Sequence, residues 1–516
     1  MLTLAPGVTL WDSGEFLAAI HSLGIPHPPG TPLYVLIGKV WSLIFAPVFG
    51  FARSINLLSA FCTAFACGIL TNLLASWTED GFAATAAGLT AGLMTTVWLS
   101  ATETEVYAVA FLFGCMMLWA ADRAGRNSDA RWALLAAYLA GLSWSLHLTA
   151  LLVVPSAILL VFSTGDGYFA VPVGRRYVDG RREAHSLTKL LRASILAALV
   201  GMTAIAFLVI RAKHDPAINQ GNPSTVGSLL DVILRRQYDV APLWPRRAPF
   251  YLQLGNVFEY ADWQFAKALA PEAPPSWWRT PITVLYALVG LCGFAMHRSI
   301  DRRSWRALAL LFFVSSLGVV IYLNLKAGPS FGAGLLPADA PHEARERDYF
   351  FFWLFACWGL WAGFGAIRLS RLLVAPFNML AMLLPFAPAL LNWTAVDRRN
   401  DPVETKARVD ESEMLARVPP SGVFLALGDN DTYPLWYLQQ AEGTRKDVTV
   451  VTVPLLPAKW YRAELARRYK LLDSNGVDSW LGRDSTVALI SRRSYDQNRP
   501  VIKSPFFALD SAAKKQ

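Results

Sequence analysis

Apolar runs about as long as a bilayer is thick alternate with short charged clusters over the first three quarters of the chain. A membrane span needs about 20 mostly apolar residues. Candidates fall near 53–76, 81–99, 104–121, 131–147, 149–163, 190–210, 281–297, 305–325, 349–369 and 371–393. The stretch 131–163 is too long for one helix and is divided near His147. A further run, 31–49, carries Lys39, follows the Pro-rich His27-Pro28-Pro29-Gly30-Thr31-Pro32 and ends at Pro47. The pattern predicts a mainly α, polytopic membrane protein with about 10–11 apolar helices, residues 1–393 forming the membrane domain.

Orientation follows from the short loops, because Lys and Arg are retained on the cytoplasmic side. Arg123, Arg126 and Arg131 share one connection, and Arg175, Arg176, Arg181, Arg182, Lys189 and Arg192 lie in or beside another. Arg298, Arg302, Arg303 and Arg306 make a third, and Arg368 with Arg371 a fourth. Counting spans puts all four on one side, together with the acidic Glu79-Asp80. The opposite side receives the N-terminal segment 9–50, the turn Glu103-Thr104-Glu105, the loops 211–280 and 326–348, and the tail after Trp393. This arrangement requires 31–49 to begin and end on the outer side, as an interfacial or re-entrant helix. If 31–49 crossed, Asp12 and Glu15 would be cytoplasmic. No apolar span or signal peptide precedes Trp11, so an outer Asp12 needs a translocated arm or a helix ahead of residue 1. The second is the favoured expectation, with Met1-Leu2-Thr3-Leu4-Ala5 as the last turn of that helix.

The tail, 394–516, is polar. Val423-Phe424-Leu425-Ala426-Leu427 reads as a strand, Thr432 to Gln440 as a helix, and Val448 to Val453 as a second strand. Strand, helix, strand predicts a small extracytoplasmic α/β domain, entered through a charged linker over 394–420.

Composition agrees with the pattern: 54% of residues are hydrophobic and 16% charged, too apolar for an ordinary soluble enzyme. The net charge of +9 would suit a nucleic-acid partner if it formed a patch. It is instead dispersed among the loops, so no nucleic acid is expected. The five cysteines, Cys62, Cys67, Cys115, Cys292 and Cys357, lie inside apolar runs without metal-ligand spacing and read as small hydrophobes.

Ionisable groups beside membrane spans are costly and mark candidate sites. Asp12 and Glu15 are three apart and share a helix face. They are either a working carboxylate pair or a capping box, Asp12 at the cap and Glu15 at its third position. His27, before two prolines, reads as a turn residue more than a metal ligand. Glu103, Glu105 and Tyr107 follow at the outer join of two spans, as either a solvated hairpin or carboxylates facing the Asp12 cleft. In the outer loops, Arg236 and Tyr238 are candidates for a phosphate clamp. Arg345, Glu346, Arg347 and Asp348 precede an aromatic span start and are either an interfacial charge cap or a headgroup site. His147 is a helix-joining residue or a ligand, and Asp429 and Asp431 are a helix cap or an acceptor or cation site. No metal set is assigned; a divalent cation is possible but not required.

Trp11-Asp12-Ser13-Gly14-Glu15-Phe16 followed by His27-Pro28-Pro29-Gly30-Thr31-Pro32-Leu33 resembles the signature of the DUF2723 family. That family includes the transmembrane protein 260-like protein O-mannosyltransferases. The resemblance continues, in order, at Glu103-Thr104-Glu105-Val106-Tyr107, His147, Arg236-Gln237-Tyr238, Arg345-Glu346-Arg347-Asp348-Tyr349 and Gly428-Asp429-Asn430-Asp431-Thr432-Tyr433-Pro434-Leu435-Trp436-Tyr437. It implies a GT-C glycosyltransferase of an inner, bacterial-type plasma membrane. The donor it implies is a polyprenyl-phosphate sugar, mannose or a similar hexose. The acceptor would be a hydroxyl, Ser or Thr of an exported protein, and transfer would invert the anomeric carbon. Asp12 would be the base and Glu15 its partner. Outer arginines, Arg345 and Arg347 before Arg236, would hold the leaving phosphate, while Glu103 and Glu105 orient sugar hydroxyls. Two other classes are set against it. A lipid or sugar transporter would gather its ionisable groups near the midplane, and a non-enzymatic binding protein would tolerate Asp12→Asn.

Overall fold

The computed structural model describes residues 1–164, 180–238, 241–331 and 340–507. Arg175 and Arg176 lie outside the described residues, as do parts of the loops 211–280 and 326–348. Among the described residues seven helices are long and apolar enough to cross a membrane: Pro32–Phe49, Phe51–Thr78, Val106–Asn127, Leu187–Lys213, Thr280–Ile300, Arg302–Leu323 and Asp348–Ser370. Gly81–Leu93, Leu148–Val161 and Phe377–Leu391 are shorter apolar helices beside them. Asp348–Ser370 is the most buried of the seven and forms the axis of the bundle. Gly359 and Gly363 let its backbone touch Gly81–Leu93: a Cβ on either would come within 2.7 Å of Ala91 Cα or Ala87 Cα. Close approach through small residues is what packs helices in lipid, where apolar burial alone gives no preference.

Several predicted spans are interrupted, each for a local reason. The run 81–99 breaks at Met94, which is extended, before the short helix Thr95–Ser100. The outer loop satisfies the freed backbone: Thr95 N–H donates to Gln264 O at 3.0 Å and Thr96 N–H to Gln264 Oε1 at 3.2 Å. The run 149–163 starts as a 3₁₀ turn, Leu148–Val153, and becomes α-helical at Val154 with Pro155 in its first turn. The run 371–393 is divided by Pro385 and Pro388 into short pieces. Met1–Ala5 contains a turn, Leu4 N–H donating to Met1 O at 3.3 Å.

Ion pairs sort the loops into two ends. At one end Asp80 pairs with Arg368 at 3.2 Å and Arg371 at 2.5 Å, which gives the acidic Glu79-Asp80 turn its place among basic loops. Arg126 bridges Asp122 and Asp301, and the buried Arg303 pairs with Asp122 and donates to the carbonyls of Leu160 and Ser163. At the other end Asp12 meets Arg345 and Glu103 meets Arg398. The helix Pro32–Phe49 starts and finishes at this second end. Leu33 N–H donates to Ser145 O, Trp41 Nε1–H to Ser54 O, and Phe51, just past its end, packs edge-on against His21.

In the tail, β1 (Val423–Ala426) is the centre of a parallel sheet, flanked by β2 (Thr449–Thr452) and β3 (Val501–Lys503). The predicted strands and intervening helix are present; β3, three residues long, carries no period to read. The charged stretch read as a linker contains the helix Pro402–Arg417. One hydrophobic cluster joins tail to membrane domain, with Phe16, Leu17 and Ile20 packed among Phe424, Leu435 and Leu438.

Removing Asp122 leaves the Arg303 cation buried and uncompensated, which costs about 3–5 kcal/mol. Asp122→Ala should therefore lower the thermal unfolding midpoint of the purified protein sharply. The double variant Asp122→Leu with Arg303→Met should recover most of that loss.

Candidate functional site

The first helix, Ser13–Ser22, begins immediately after a left-handed Trp11 (φ 59°). Asp12 occupies the cap position, yet its side chain makes no capping bond. Its Oδ2 instead accepts from Arg345 Nη2 at 2.9 Å. Glu15 does not close a box either. It is fully buried, and its Oε1 accepts the His27 backbone N–H at 2.7 Å and a bond from Gln220 Nε2. Its Oε2 meets His27 Nδ1 at 2.5 Å. Both acids of the predicted capping box are thus taken by partners from later in the chain.

The charges set one another's protonation. Burial pushes Asp12 up, but Arg345, His27 and Arg347 outweigh it and hold the carboxyl below its usual range. Burial works against a charged His27, yet Glu15 first and then Asp12 and Glu105 raise it to about 9, so it is an imidazolium at neutral pH. Glu105 is driven well above the ordinary carboxylate range by burial and by the Asp12 and Glu103 charges.

Aromatic rings wall this cluster. The Arg345 guanidinium lies 5.0 Å from the Trp11 ring and 5.1 Å from the Tyr349 ring, close enough for cation–π attraction to both. Tyr107 lies 5.1 Å from Tyr349 and 5.0 Å from His147. Arg347 reaches the Tyr349 hydroxyl at 2.5 Å and Glu343 at 3.6 Å.

The remaining predicted residues divide. Asp429 belongs with the cluster: burial and the charges of Asp12 and Glu15 push its carboxyl up. Tyr238, exposed, is reached by the charge of Glu15. His147 joins helices, its Nδ1 meeting Thr149 Oγ1 at 2.8 Å; burial first and Arg235 next lower it to about 3, so it is neutral. Glu103 pairs with Arg398 and accepts from Thr9 Oγ1 at 2.8 Å. Glu346 accepts from Tyr260 Oη at 2.9 Å and Ser330 Oγ at 2.6 Å, and Asp348 from Thr96 Oγ1 at 2.6 Å; both brace the wall and make no bond to Asp12. Asp431 caps the backbone of Leu427 and Gly428. Arg236 pairs with Asp231 on the exposed surface, 2.7 Å away. The neighbouring Arg235, with φ 55°, carries a buried Nε without a partner, as does Arg347.

Two contributors were not foreseen. The loop residue Gln220 reaches Glu15, and its polar turn Asn219-Gln220-Gly221-Asn222-Pro223 was the available signal. The helix Asp429–Gln440 lies directly on Ser13–Ser22. Asn430 Oδ1 accepts from Trp11 N–H at 2.7 Å, and a Cβ on Gly14 would sit 2.5 Å from the Tyr433 carbonyl carbon. Any larger residue at 14 would push the two helices apart. Beside Gln220 a cavity of about 170 Å³ opens between the loop and the tail, lined by Trp436, Gln439, Lys446, Trp460 and Glu464.

Comparison with known proteins supplies the remaining context. The N-terminal domain of the protein O-mannosyl-transferase TMEM260 matches residues 12–167, and the TMEM260-associated domain 2 matches residues 408–498. The Dictyostelium discoideum protein O-mannosyl-transferase tmem260 is 23% identical over 363 residues, 66% of this chain and 39% of that protein. The Mus musculus protein O-mannosyl-transferase TMEM260 is 23% identical over 493 residues, 90% of this chain and 62% of that protein. The chain therefore spans about two fifths and three fifths of the length of these relatives. Among solved structures, ArnT from Cupriavidus metallidurans bound to undecaprenyl phosphate has a TM-score of 0.47 and 10% identity, covering 87% of this chain and 86% of that one. Two TMEM260 domains are thus matched in order, the first from Asp12, and the chain is similar to the TMEM260-like proteins along most of its length.

Proposed function

We propose that this chain is a membrane glycosyltransferase that moves a hexose, mannose or a close relative, from a polyprenyl-phosphate donor to a hydroxyl acceptor. The observation that carries the reading is Asp12. Its carboxylate is kept ionised at the end of the bundle, held by Arg345 and ringed by further cations. The relatives' name, protein O-mannosyl-transferase, supports the same chemistry and a Ser or Thr acceptor on an exported protein. Gathering of the ionisable groups at one end, away from the midplane, favours transfer over transport.

In this mechanism the acceptor hydroxyl gives its proton to the Asp12 carboxylate as its oxygen attacks the anomeric carbon. The bond to the lipid phosphate breaks with inversion, and the departing phosphate carries the electron pair. Arg345 and Arg347 stabilise that negative charge, Arg347 through its unpartnered Nε. Glu15 does not touch the acceptor; with His27 and Gln220 it fixes the helix that aims Asp12. A phosphate ester leaves readily, so no step requires a metal ion. The active end is the extracytoplasmic face of an inner, bacterial-type plasma membrane, as the basic loops of the opposite end support.

Reconstitution with polyprenyl-phosphate mannose and a Ser/Thr-rich exported protein tests this. Asp12→Asn should lower transfer by about 10²–10⁴-fold, the usual contribution of a general base; equal transfer by variant and wild type would sink the assignment. Arg345→Gln removes the cation that depresses the Asp12 pKa. The acid limb of its pH–rate profile should therefore move to higher pH, on top of a lower rate.

His27 gives a separate pH signature. Its folded pKa, about 9, exceeds the unfolded value, so the stability it supplies is fully present below about 6.5 and is lost as pH rises through about 9. The thermal midpoint should fall across that window in wild type. In His27→Gln the same titration should be flatter and start lower.

A further inference from the structure

The helix Phe250–Asp262 is built with two unlike faces. Gln253, Asn256, Glu259 and Tyr260 are buried on one side. Tyr251 and Phe258, seven residues apart and therefore on one stripe, are 72% and 75% exposed. Trp277 and Trp278, 94% and 76% exposed, stand just ahead of the span Thr280–Ile300. Such aromatic exposure on a soluble surface would be a liability; beside a span it has an obvious cover.

Both ends of this helix are fastened to the ends of spans. Before its start, Arg246 donates to the carbonyls of Val320 and Ile321 at 2.7 and 2.8 Å, at the end of Arg302–Leu323. Arg247 N–H donates to Asn324 Oδ1 at 2.8 Å. At its finish, Asp262 accepts from Arg279 Nε at 2.9 Å and Thr280 Oγ1 at 3.0 Å, at the start of Thr280–Ile300. Its 13 residues, about 20 Å of helix, thus run from the end of one span to the beginning of another at the same level. An axis pinned at both ends at that level lies along the membrane plane. On the adjoining span Thr280–Ile300, Leu285, Leu288 and Leu291 are also exposed.

We infer that Phe250–Asp262 lies in the membrane interface at the Asp12 end, its aromatic stripe seated against lipid, and that it sets the depth of the Arg345 segment. The link is Tyr260 on the buried face. Its hydroxyl donates to Glu346 Oε2 at 2.9 Å and accepts from the Arg347 backbone N–H at 3.0 Å, the two residues after Arg345. Lipid contact on one face and these two bonds on the other hold the guanidinium groups at headgroup level, where the phosphate of an amphiphilic donor resides. The depth-setting half rests on the transferase reading; the seating of the helix does not.

Nitroxide labels at Tyr251→Cys and Phe258→Cys, with the five native cysteines replaced, test the seating in liposomes of phosphatidylethanolamine and phosphatidylglycerol. Both positions are exposed, so the labels leave the core untouched. Each should collide more with dissolved oxygen than with a water-soluble nickel chelate, and a label at the exposed Arg417 should do the reverse. Labels at 251 and 258 that behave like the one at 417 overturn the inference whether or not the protein transfers sugar. For the coupling, Tyr260→Phe should leave the 258 label in lipid and raise KM for the lipid-linked donor several-fold with kcat little changed. An unchanged KM in that variant, with wild type active, removes the depth-setting role alone.

Discussion

A buried carboxylate at the end of a membrane bundle has to be compensated, and Glu15 is that carboxylate. Stranding its charge away from water would cost several kcal/mol, so it must find a cation and donors. It finds His27 twice, through ring and backbone, and Gln220 once. Those three bonds draw the Pro-rich turn back onto the first helix and bring a loop residue from 205 positions away to the same spot. With the helix fixed from below, Asp12 projects from its first turn toward Arg345, and Gly14 leaves room for the tail helix to rest on its back. This end of the bundle is in this sense assembled around Glu15.

What the sequence makes legible follows from what repeats within it. Long apolar runs announce spans through composition alone, and charge asymmetry groups their loops correctly, as the Asp80–Arg371 and Arg126–Asp301 pairs attest. The blocks around Asp12, Glu105, Arg345 and Asp429 were visible as polar residues where polar residues are costly. What could not be read depends on partners distant in the chain. The kink at Met94 forms because Gln264 satisfies the opened backbone, and nothing near residue 94 advertises Gln264. Pro402–Arg417 is dense in charge and lacks an apolar stripe, so its helix looks like a linker. Arg235 and Arg236 are indistinguishable by type; the first has a left-handed φ and a buried Nε, while the second pairs with Asp231 on the surface.

The same dependence explains why acids of equal chemistry have unequal roles. Asp12, Glu103, Glu105, Glu346 and Asp348 all stand at one end, and of these Asp12 is the one paired with an arginine that lies between two aromatic rings. Glu103 is spent on Arg398 and Glu346 on Tyr260 and Ser330, where each acts as a strut. On the proposed reading, environment separates a base from a strut here, as it separates carboxylates by pKa in active sites generally.

Charge balance at the cluster completes the argument. Arg345 pairs with Asp12, His27 with Glu15, and Arg347 with Glu343 at 3.6 Å, so each cation of the cluster has a carboxylate partner. Burial makes each of these pairs costly to break without a replacement anion. On the proposed reading, a donor phosphate would be that anion, and it would also satisfy the buried Nε of Arg347. It would also draw Arg345 away from Asp12, which raises the basicity of the carboxylate at the moment a donor is in place. On the proposed reading, the Asp12–Arg345 pair keeps the carboxylate a weak base until a donor phosphate competes for the guanidinium.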